Sequence, residues 1–224
     1  MNFNIPIGAP PLTLSTTNPN YVAAQLAIPA FLCASDPGNN NGRLGGRSDW
    51  QPANVLWGVT NYKACAGSNW NAGLAAWNPV SSPTGKNAGL TDGLNRGNGI
   101  LCSNQVNQNA PTRVRDVTDG TSNTFAIGEA LPATTQWNWW YNPNAVTATC
   151  AIPLNQLLKP LPPSTTNPPA LNNWPNNYAF ASRHVGGGHF AMADGSARYV
   201  SENIDIGLYR GLATISSGEI AGEF

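Results

Sequence analysis

The sequence predicts an α+β domain that consists mainly of antiparallel β-sheet, with long loops and few short helices. Segments rich in valine, tryptophan, threonine and tyrosine alternate with stretches of glycine, asparagine, serine and proline, which are the residues of turns and loops. The 224-residue chain is long enough to bury one hydrophobic core, and no repeat of fixed period divides it. We therefore expect a single globular domain over residues 1–224.

In the first half of the chain, the pattern predicts one helix and three extended segments. A proline at the first helical position indicates a short helix over about 19–27. Residues 31–33 are predicted to be extended. The composition of 55–66 predicts a strand, and that of 99–102 predicts another.

In the second half, turn residues separate two further strands and a last helix. The segment 116–120 predicts a tight turn before a strand at 124–127, and 137–141 reads as the next strand. The proline-rich segment 159–177 has no periodicity and is predicted to be a loop. Apolar residues at helical spacing predict a helix over 208–213.

The dipeptide Asp194-Gly195 predicts the tip of a β-hairpin, because Asp and Gly best tolerate the positive φ angles of a type I′ turn. A two-residue turn would pair Met192 with Ala197. His189 then falls on the face away from the core. The predicted core face carries Phe190, Met192, Ala197 and Tyr199.

The two histidines of the chain, His184 and His189, precede Asp194 closely enough to suggest a catalytic pair or a metal site. At about 3.3 Å per residue, however, Asp194 lies roughly 16 Å along the strand from His189. Four loop residues give His184 a reach of at most about 14 Å. A local His–Asp site is therefore disfavoured. We expect His184 to occupy a structural packing or hydrogen-bonding site of its own. A partner, if it has one, should come from another segment, with the turn at 116–123 as the first candidate.

Charged residues are scarce in this chain. Eleven basic and eleven acidic side chains give zero net charge and make up 10% of the residues, against about 25% in an ordinary globular protein. Without a cluster of Lys or Arg, the counterion release that drives nucleic-acid binding has no source, and we expect no nucleic-acid partner. A neutral polar surface favours an extracellular or cell-surface location over a cytosolic assembly.

The four cysteines are even in number and far apart, without a C-x-x-C spacing, so zinc ligation is disfavoured and two disulfides are favoured. Three connectivities are possible. A pair between the first two is preferred because both lie in extended segments. The disulfide candidates are Cys33, Cys65, Cys102 and Cys150.

Two further groups of residues carry functional hypotheses. Asp116, Asp119 and Glu129 offer the hard oxygen ligands that Ca²⁺ prefers, or the carboxylates of a hydrolase, although Asp in turns usually bonds its own backbone. No nucleophile motif supports an enzyme. The second group has aromatic rings that could stack on a polysaccharide but more often serve the core or a subunit contact: Trp137, Trp139, Trp140 and Tyr141.

The spacing of His184 and Asp194-Gly195 resembles the H-x9-DG signature of bacterial prepilin-type processing-associated proteins, which are pilin-like or pseudopilin-like. Segments 28–38, 114–129 and 182–205 all share in the resemblance, in the order of the family.

The resemblance implies an exported structural or assembly protein that self-associates, with no established catalytic residues and no cofactor. The hydrophobic helix that precedes the head domain in that family is absent from this sequence. We predict no membrane span in this chain, because prolines interrupt its first apolar run.

Overall fold

The computed structural model describes residues 19–45, 55–69, 97–102, 111–135, 137–159 and 177–218. These residues form a five-stranded mixed sheet, a two-stranded antiparallel sheet and short helices. Three of the four pairings in the larger sheet are antiparallel. The predicted α+β class is confirmed. Among the described residues, no helix has the length and apolar character that crossing a membrane requires.

Seven strands and three α-helices make up the regular structure of the described segments. The strands are β1 (Arg43–Gly45), β2 (Leu56–Gly58), β3 (Tyr62–Cys65), β4 (Phe125–Glu129), β5 (Thr147–Ala148), β6 (Gly187–Met192) and β7 (Ala197–Ser201). Strand β1 pairs with β2, and the larger sheet has the order β5-β3-β4-β6-β7. The α-helices are α1 (Pro19–Ala24), α2 (Pro132–Thr135) and α3 (Ile206–Gly211).

Several predicted elements are shorter or different in the structure. The strand expected over 55–66 is split between the two sheets, into β2 and β3. Residues 99–102 form bends rather than a strand. Segment 137–141 makes only one isolated bridge, between Trp139 and Val59. Segment 31–33 begins inside the 3₁₀ turn Pro29–Phe31. Most of the predicted loop over 159–177 lies outside the described residues.

The break between β2 and β3 is stabilised by side chains that bond to backbone. The backbone N–H of Tyr62 donates to Thr60 Oγ1 at 3.0 Å. The buried amide of Asn61 donates to the carbonyl of Ala130 at 3.0 Å and to Asp36 Oδ2 at 2.8 Å. The local bond from Tyr62 to Thr60 competes with strand pairing, and the bonds of Asn61 attach the break to two distant segments.

Two hydrophobic clusters flank the larger sheet. One is centred on Trp57, Trp139 and Tyr178. The other contains Phe125 and Phe190, whose rings stack with centroids 4.3 Å apart. These contacts hold β4 and β6 together at the middle of the sheet.

The hairpin of β6 and β7 differs from the prediction by one residue. His189 pairs with Tyr199 and Ala191 with Ala197. The N–H of Met192 donates to the carbonyl of Ser196, which leaves the three loop residues 193–195, so the type I′ turn is wrong. Gly195 alone in this loop has a positive φ, +87°. A three-residue loop with glycine in the left-handed position is the next common hairpin type.

The changed register reverses the faces of β7. Phe190 and Met192 are buried as predicted, but Tyr199 is 45% exposed and Ala197 is also exposed. Val200, 1% exposed, takes the core position instead. Successive strand residues point to opposite faces, so a shift of one residue exchanges the two sets. His189 lies away from the core, as predicted.

Replacement of Gly195 by Ala should destabilise the hairpin. Space is available, since nothing lies within 4 Å of the added Cβ, but φ is +87°. The left-handed conformation should therefore reduce the free energy of unfolding by about 1–2 kcal/mol. Gly45→Ala is the matched control, because its Cβ also meets nothing within 4 Å and its φ is not positive. Urea unfolding of both variants measures the effect, and equal stability would contradict this account of the turn.

Lys63 of β3 is a buried amine, only 1% exposed. Its Nζ donates to the carbonyl of Trp137 at 2.8 Å and also to the carbonyl of Asn177. Burial lowers the pKa of this amine well below its ordinary value. The folded protein therefore disfavours the protonated form that the unfolded chain adopts below about pH 10.4.

The lowered pKa of Lys63 predicts a stability that rises with pH. Between the pKa of Lys63 in the folded protein and about pH 10.4, the unfolded state binds one proton more than the folded state. The free energy of unfolding therefore grows with pH by up to about 1.4 kcal/mol per pH unit. We expect the stability of wild type relative to Lys63→Met to increase from neutral pH towards pH 10. Parallel urea unfolding curves of the two proteins check this, and a constant difference would contradict it.

Candidate functional site

Three side chains from distant parts of the chain meet at one edge of the core. His184 Nε2 lies 3.3 Å from Glu129 Oε1. Cys33 Sγ lies 3.7 Å from the same carboxylate oxygen and 3.8 Å from the same nitrogen. We call these three residues the Cys-Glu-His cluster. It is the group of at least three potential metal ligands found within the described segments.

The backbone segment that carries each member of the cluster holds that residue in position. Cys33 follows a 3₁₀ turn, and its N–H donates to Asn61 Oδ1 at 3.1 Å. Glu129 is the last residue of β4. His184 lies in the turn before β6, and its N–H donates to Ser182 Oγ at 3.1 Å.

The second oxygen of Glu129 is also occupied. Glu129 Oε2 accepts the backbone N–H of His189 at 2.8 Å. The carboxylate can come this close because position 188 is glycine: a Cβ there would lie 3.3 Å from Glu129 Oε2 and 3.0 Å from Ser182 Cβ. Glu129 therefore binds β6 through one oxygen and faces Cys33 and His184 with the other.

Aromatic rings surround the polar cluster. The rings of His184 and His189 meet edge to face with centroids 4.6 Å apart, and His189 also contacts Tyr199. Burial raises the pKa of the Tyr62 hydroxyl, and the Cys33 thiol and the Glu129 carboxylate raise it further. Tyr62 therefore stays a neutral hydroxyl beside the cluster.

The geometry does not fit a catalytic triad. In a relay of nucleophile, base and acid, the acid bonds one ring nitrogen of the histidine while the nucleophile faces the other. Here Cys33 Sγ and Glu129 Oε1 both face Nε2 of His184. The three atoms converge on a single point, which is the arrangement of ligands rather than of a proton relay.

His184 and Asp194 do not form the local site that the strand geometry disfavours. Asp194 is exposed at the hairpin tip and accepts the N–H and the hydroxyl of Ser196 at 2.8 and 2.7 Å. These two hydrogen bonds lower the pKa of the Asp194 carboxyl. The partner of His184 does come from another segment, but the candidate turn at 116–123 is wrong. Glu129, six residues beyond that turn, is the residue it meets.

The carboxylates suggested for calcium or hydrolysis do not come together. Asp116 Oδ2 accepts the N–H of Arg113 at 2.8 Å. Asp119 accepts the N–H groups of Ser217 and Gly218 at 2.9 and 3.0 Å. Glu129 belongs to the Cys-Glu-His cluster. Asp116 therefore bonds nearby backbone, as in the turn alternative, whereas Asp119 bonds the backbone of the distant segment 217–218. Among the described residues, the three carboxylates form no common site.

The aromatic residues at 137–141 are not an exposed stacking surface. Trp137 and Trp139 are 5% and 1% exposed, and their rings pack with centroids 5.2 Å apart. Tyr141 is buried, and the half-buried Trp140 donates its Nε1–H to the carbonyl of Leu26 at 2.9 Å. These residues serve the core, and a glycan platform built from them is wrong.

The four cysteines are free thiols. The preferred pair of Cys33 and Cys65 is wrong, since Cys33 lies in the Cys-Glu-His cluster while Cys65 Sγ is 4.0 Å from Cys150 Sγ in the core. Burial raises the pKa of Cys102 to about 11. Burial also raises the pKa of Cys150, helped by its contact with Cys65.

The chain belongs to a family described as "protein of unknown function (DUF1559)", whose profile matches residues 1–207. Searches of curated proteins and of solved structures found no match. The matched range includes the whole Cys-Glu-His cluster and the hairpin tip.

Sequence reasoning missed the cluster because its members are separated by up to 151 positions. One signal pointed towards it. The segments 28–38, 114–129 and 182–205, which carry the resemblance to the H-x9-DG proteins, each supply one member: Cys33, Glu129 and His184.

Native-state thiol labelling should distinguish the four cysteines. Cys33 is half-buried at the cluster, whereas Cys65 and Cys150 are fully buried and Cys102 has a pKa of about 11. A thiolate is the reactive form, so we expect iodoacetamide at neutral pH to label Cys33 first and the others only after unfolding. Mass spectrometry of peptides locates the label, and Cys33→Ser is the control. Early labelling of Cys65 or Cys150 would contradict the buried placement.

Proposed function

We propose that this chain is a structural subunit of an extracellular or cell-surface assembly, comparable to the globular head of a pilin-like or pseudopilin-like protein. The resemblance to the H-x9-DG proteins motivates this proposal. The observation that carries it is the edge strand β7, which among the described residues pairs with β6 on one side only.

The signature residues make hydrogen bonds and contacts within the chain, which supports a structural role. Gly195 supplies the left-handed turn conformation, and Asp194 bonds the next residues of the hairpin loop. His184 contacts Glu129 and Cys33. Cys33 and Glu129 face the same ring nitrogen of His184, which differs from the order of groups in a catalytic relay.

The free edge of β7 offers backbone groups to a second strand. Met192 N–H donates to Ser196 O, and Glu202 N–H donates to Gly186 O, both at 2.8 Å. Antiparallel strands alternate bonded and outward-facing residues, so the N–H and C=O groups of Ala197, Tyr199 and Ser201 face away from β6.

The surroundings of this edge favour a copy of the same chain as the partner. Tyr199 is 45% exposed, and a groove of about 290 Å³ beside the strand is lined by Tyr199, Ile204 and Leu208 among others. Zero net charge and few charged side chains keep the repulsion between copies small. Natural edge strands often carry charged residues or proline that prevent pairing with another strand. Strand β7 has no proline and only one charged residue, Arg198, whose side chain is partly buried.

Replacement of Ala197 in β7 by proline should abolish self-association. Ala197→Pro removes one outward N–H of β7 and leaves the bonds to β6 in place. Ala197→Lys adds the charge that blunts edges, and Ala197→Ser is the matched control that keeps the N–H. We expect wild type and Ala197→Ser to form oligomers or filaments, and the other two variants to be monomers, in light scattering and negative-stain microscopy.

Two results would overturn the proposal. Wild-type protein that remains monomeric at high concentration, without filaments, sheets or tubes, argues against assembly. Assembly of Ala197→Pro equal to that of wild type, with an unchanged circular dichroism spectrum, argues against β7 as the contact.

A further inference from the structure

The Cys-Glu-His cluster has the dimensions of a zinc site. Tetrahedral Zn²⁺ has bonds of about 2.3 Å to sulfur and about 2.0–2.1 Å to nitrogen or oxygen. Those bonds require about 3.4 Å between nitrogen and oxygen ligands, and about 3.6 Å from sulfur to either. The corresponding distances are 3.3 Å, 3.7 Å and 3.8 Å.

We propose that Cys33 Sγ, Glu129 Oε1 and His184 Nε2 bind one Zn²⁺ ion. Thiolate, imidazole and carboxylate together are the ligands that this borderline-soft cation accepts. Ca²⁺ and Mg²⁺ are disfavoured, because they take oxygen ligands only. This site goes beyond the proposed assembly role and does not depend on it.

The second shell of the cluster orients the carboxylate for binding. The His189 N–H holds Glu129 Oε2 at 2.8 Å, which leaves Oε1 directed at Cys33 and His184. Partners of this kind fix the ligands of metal sites before the metal arrives. Ser182 Oγ fixes the backbone of His184 in the same way, at 3.1 Å.

Three protein ligands leave one tetrahedral position for water or another small donor. The site borders solvent, since the His184 side chain is 29% exposed while that of Glu129 is 6% exposed. Cys33 also lines an open cleft of about 570 Å³ together with Leu32, Asp36 and Asn39. A bound ion would thus be reachable from outside.

Binding at this place would tie the segment of Cys33 to β4 and to the turn before β6. A ligand that binds only the folded state raises its stability. The thiol loses its proton as the Zn–S bond forms, so one proton is released to solvent and affinity should fall at acid pH.

The test uses untagged, reduced and chelator-treated full chain, titrated with Co²⁺ as a spectroscopic probe and then with Zn²⁺. We expect one Co²⁺ per chain, a sulfur-to-cobalt charge-transfer band with the visible bands of a tetrahedral ion, and displacement by Zn²⁺. Zn²⁺ should also raise the melting temperature and protect Cys33 from iodoacetamide.

Matched variants separate this site from other binding. Cys33→Ser should abolish the charge-transfer band, and His184→Ala should weaken binding by more than about 100-fold, since even outer-shell changes typically cost about 10–100-fold. Cys102→Ser is the control, because it changes a thiol outside the cluster and should bind like wild type.

The proposal fails if the reduced protein binds neither ion at micromolar concentration. It also fails if Cys33→Ser retains the charge-transfer band, or if His184→Ala binds Co²⁺ as tightly as Cys102→Ser while both remain folded. These outcomes are independent of the oligomeric state that tests the assembly role.

Discussion

A buried carboxylate joins the distant parts of this fold. Glu129 lies at the end of the central strand β4, is 5% exposed, and contacts Cys33, His184 and the backbone of His189. A charge removed from water is unfavourable unless it is paired or hydrogen-bonded. The first described loop, the turn before β6 and β6 itself must therefore all reach Glu129 together, which couples the hairpin to the rest of the sheet.

Asparagine side chains have a comparable role in the loops. Asn61 joins the break between β2 and β3 to Asp36 and Ala130, and Asn138 donates to the carbonyl of Thr60. Asn155 accepts the N–H of Ser182 and donates to Glu202. All three asparagines are buried. Asparagine is thus not only a residue of loops and turns in this chain. Buried asparagines also form hydrogen bonds that connect the short strands and loops.

The two proposals assign different parts of the hairpin to different tasks. The turn before β6 presents His184 towards β4, whereas β7 has one edge without a partner strand among the described residues. Glycine at the start of β6 allows β6 and β7 to pair closely. A Cβ at Gly187 would lie 2.0 Å from the carbonyl of Val200. A metal ion at His184 would stabilise the strand pair that carries the proposed assembly contact.

The sequence by itself determined the class of fold, the hairpin tip at Asp194-Gly195 and the exposure of His189, because these depend on composition, local turn preference and strand alternation. Tertiary structure alone decided the register of β7, since one extra loop residue exchanged Tyr199 for Val200 in the core. It also decided the partners of His184 and the free state of the thiols. The partners of His184 and the placement of Cys33 depend on contacts between Cys33, Glu129 and His184. Sheet pairing brings these three residues together from distant parts of the chain, so local sequence patterns do not predict the contacts.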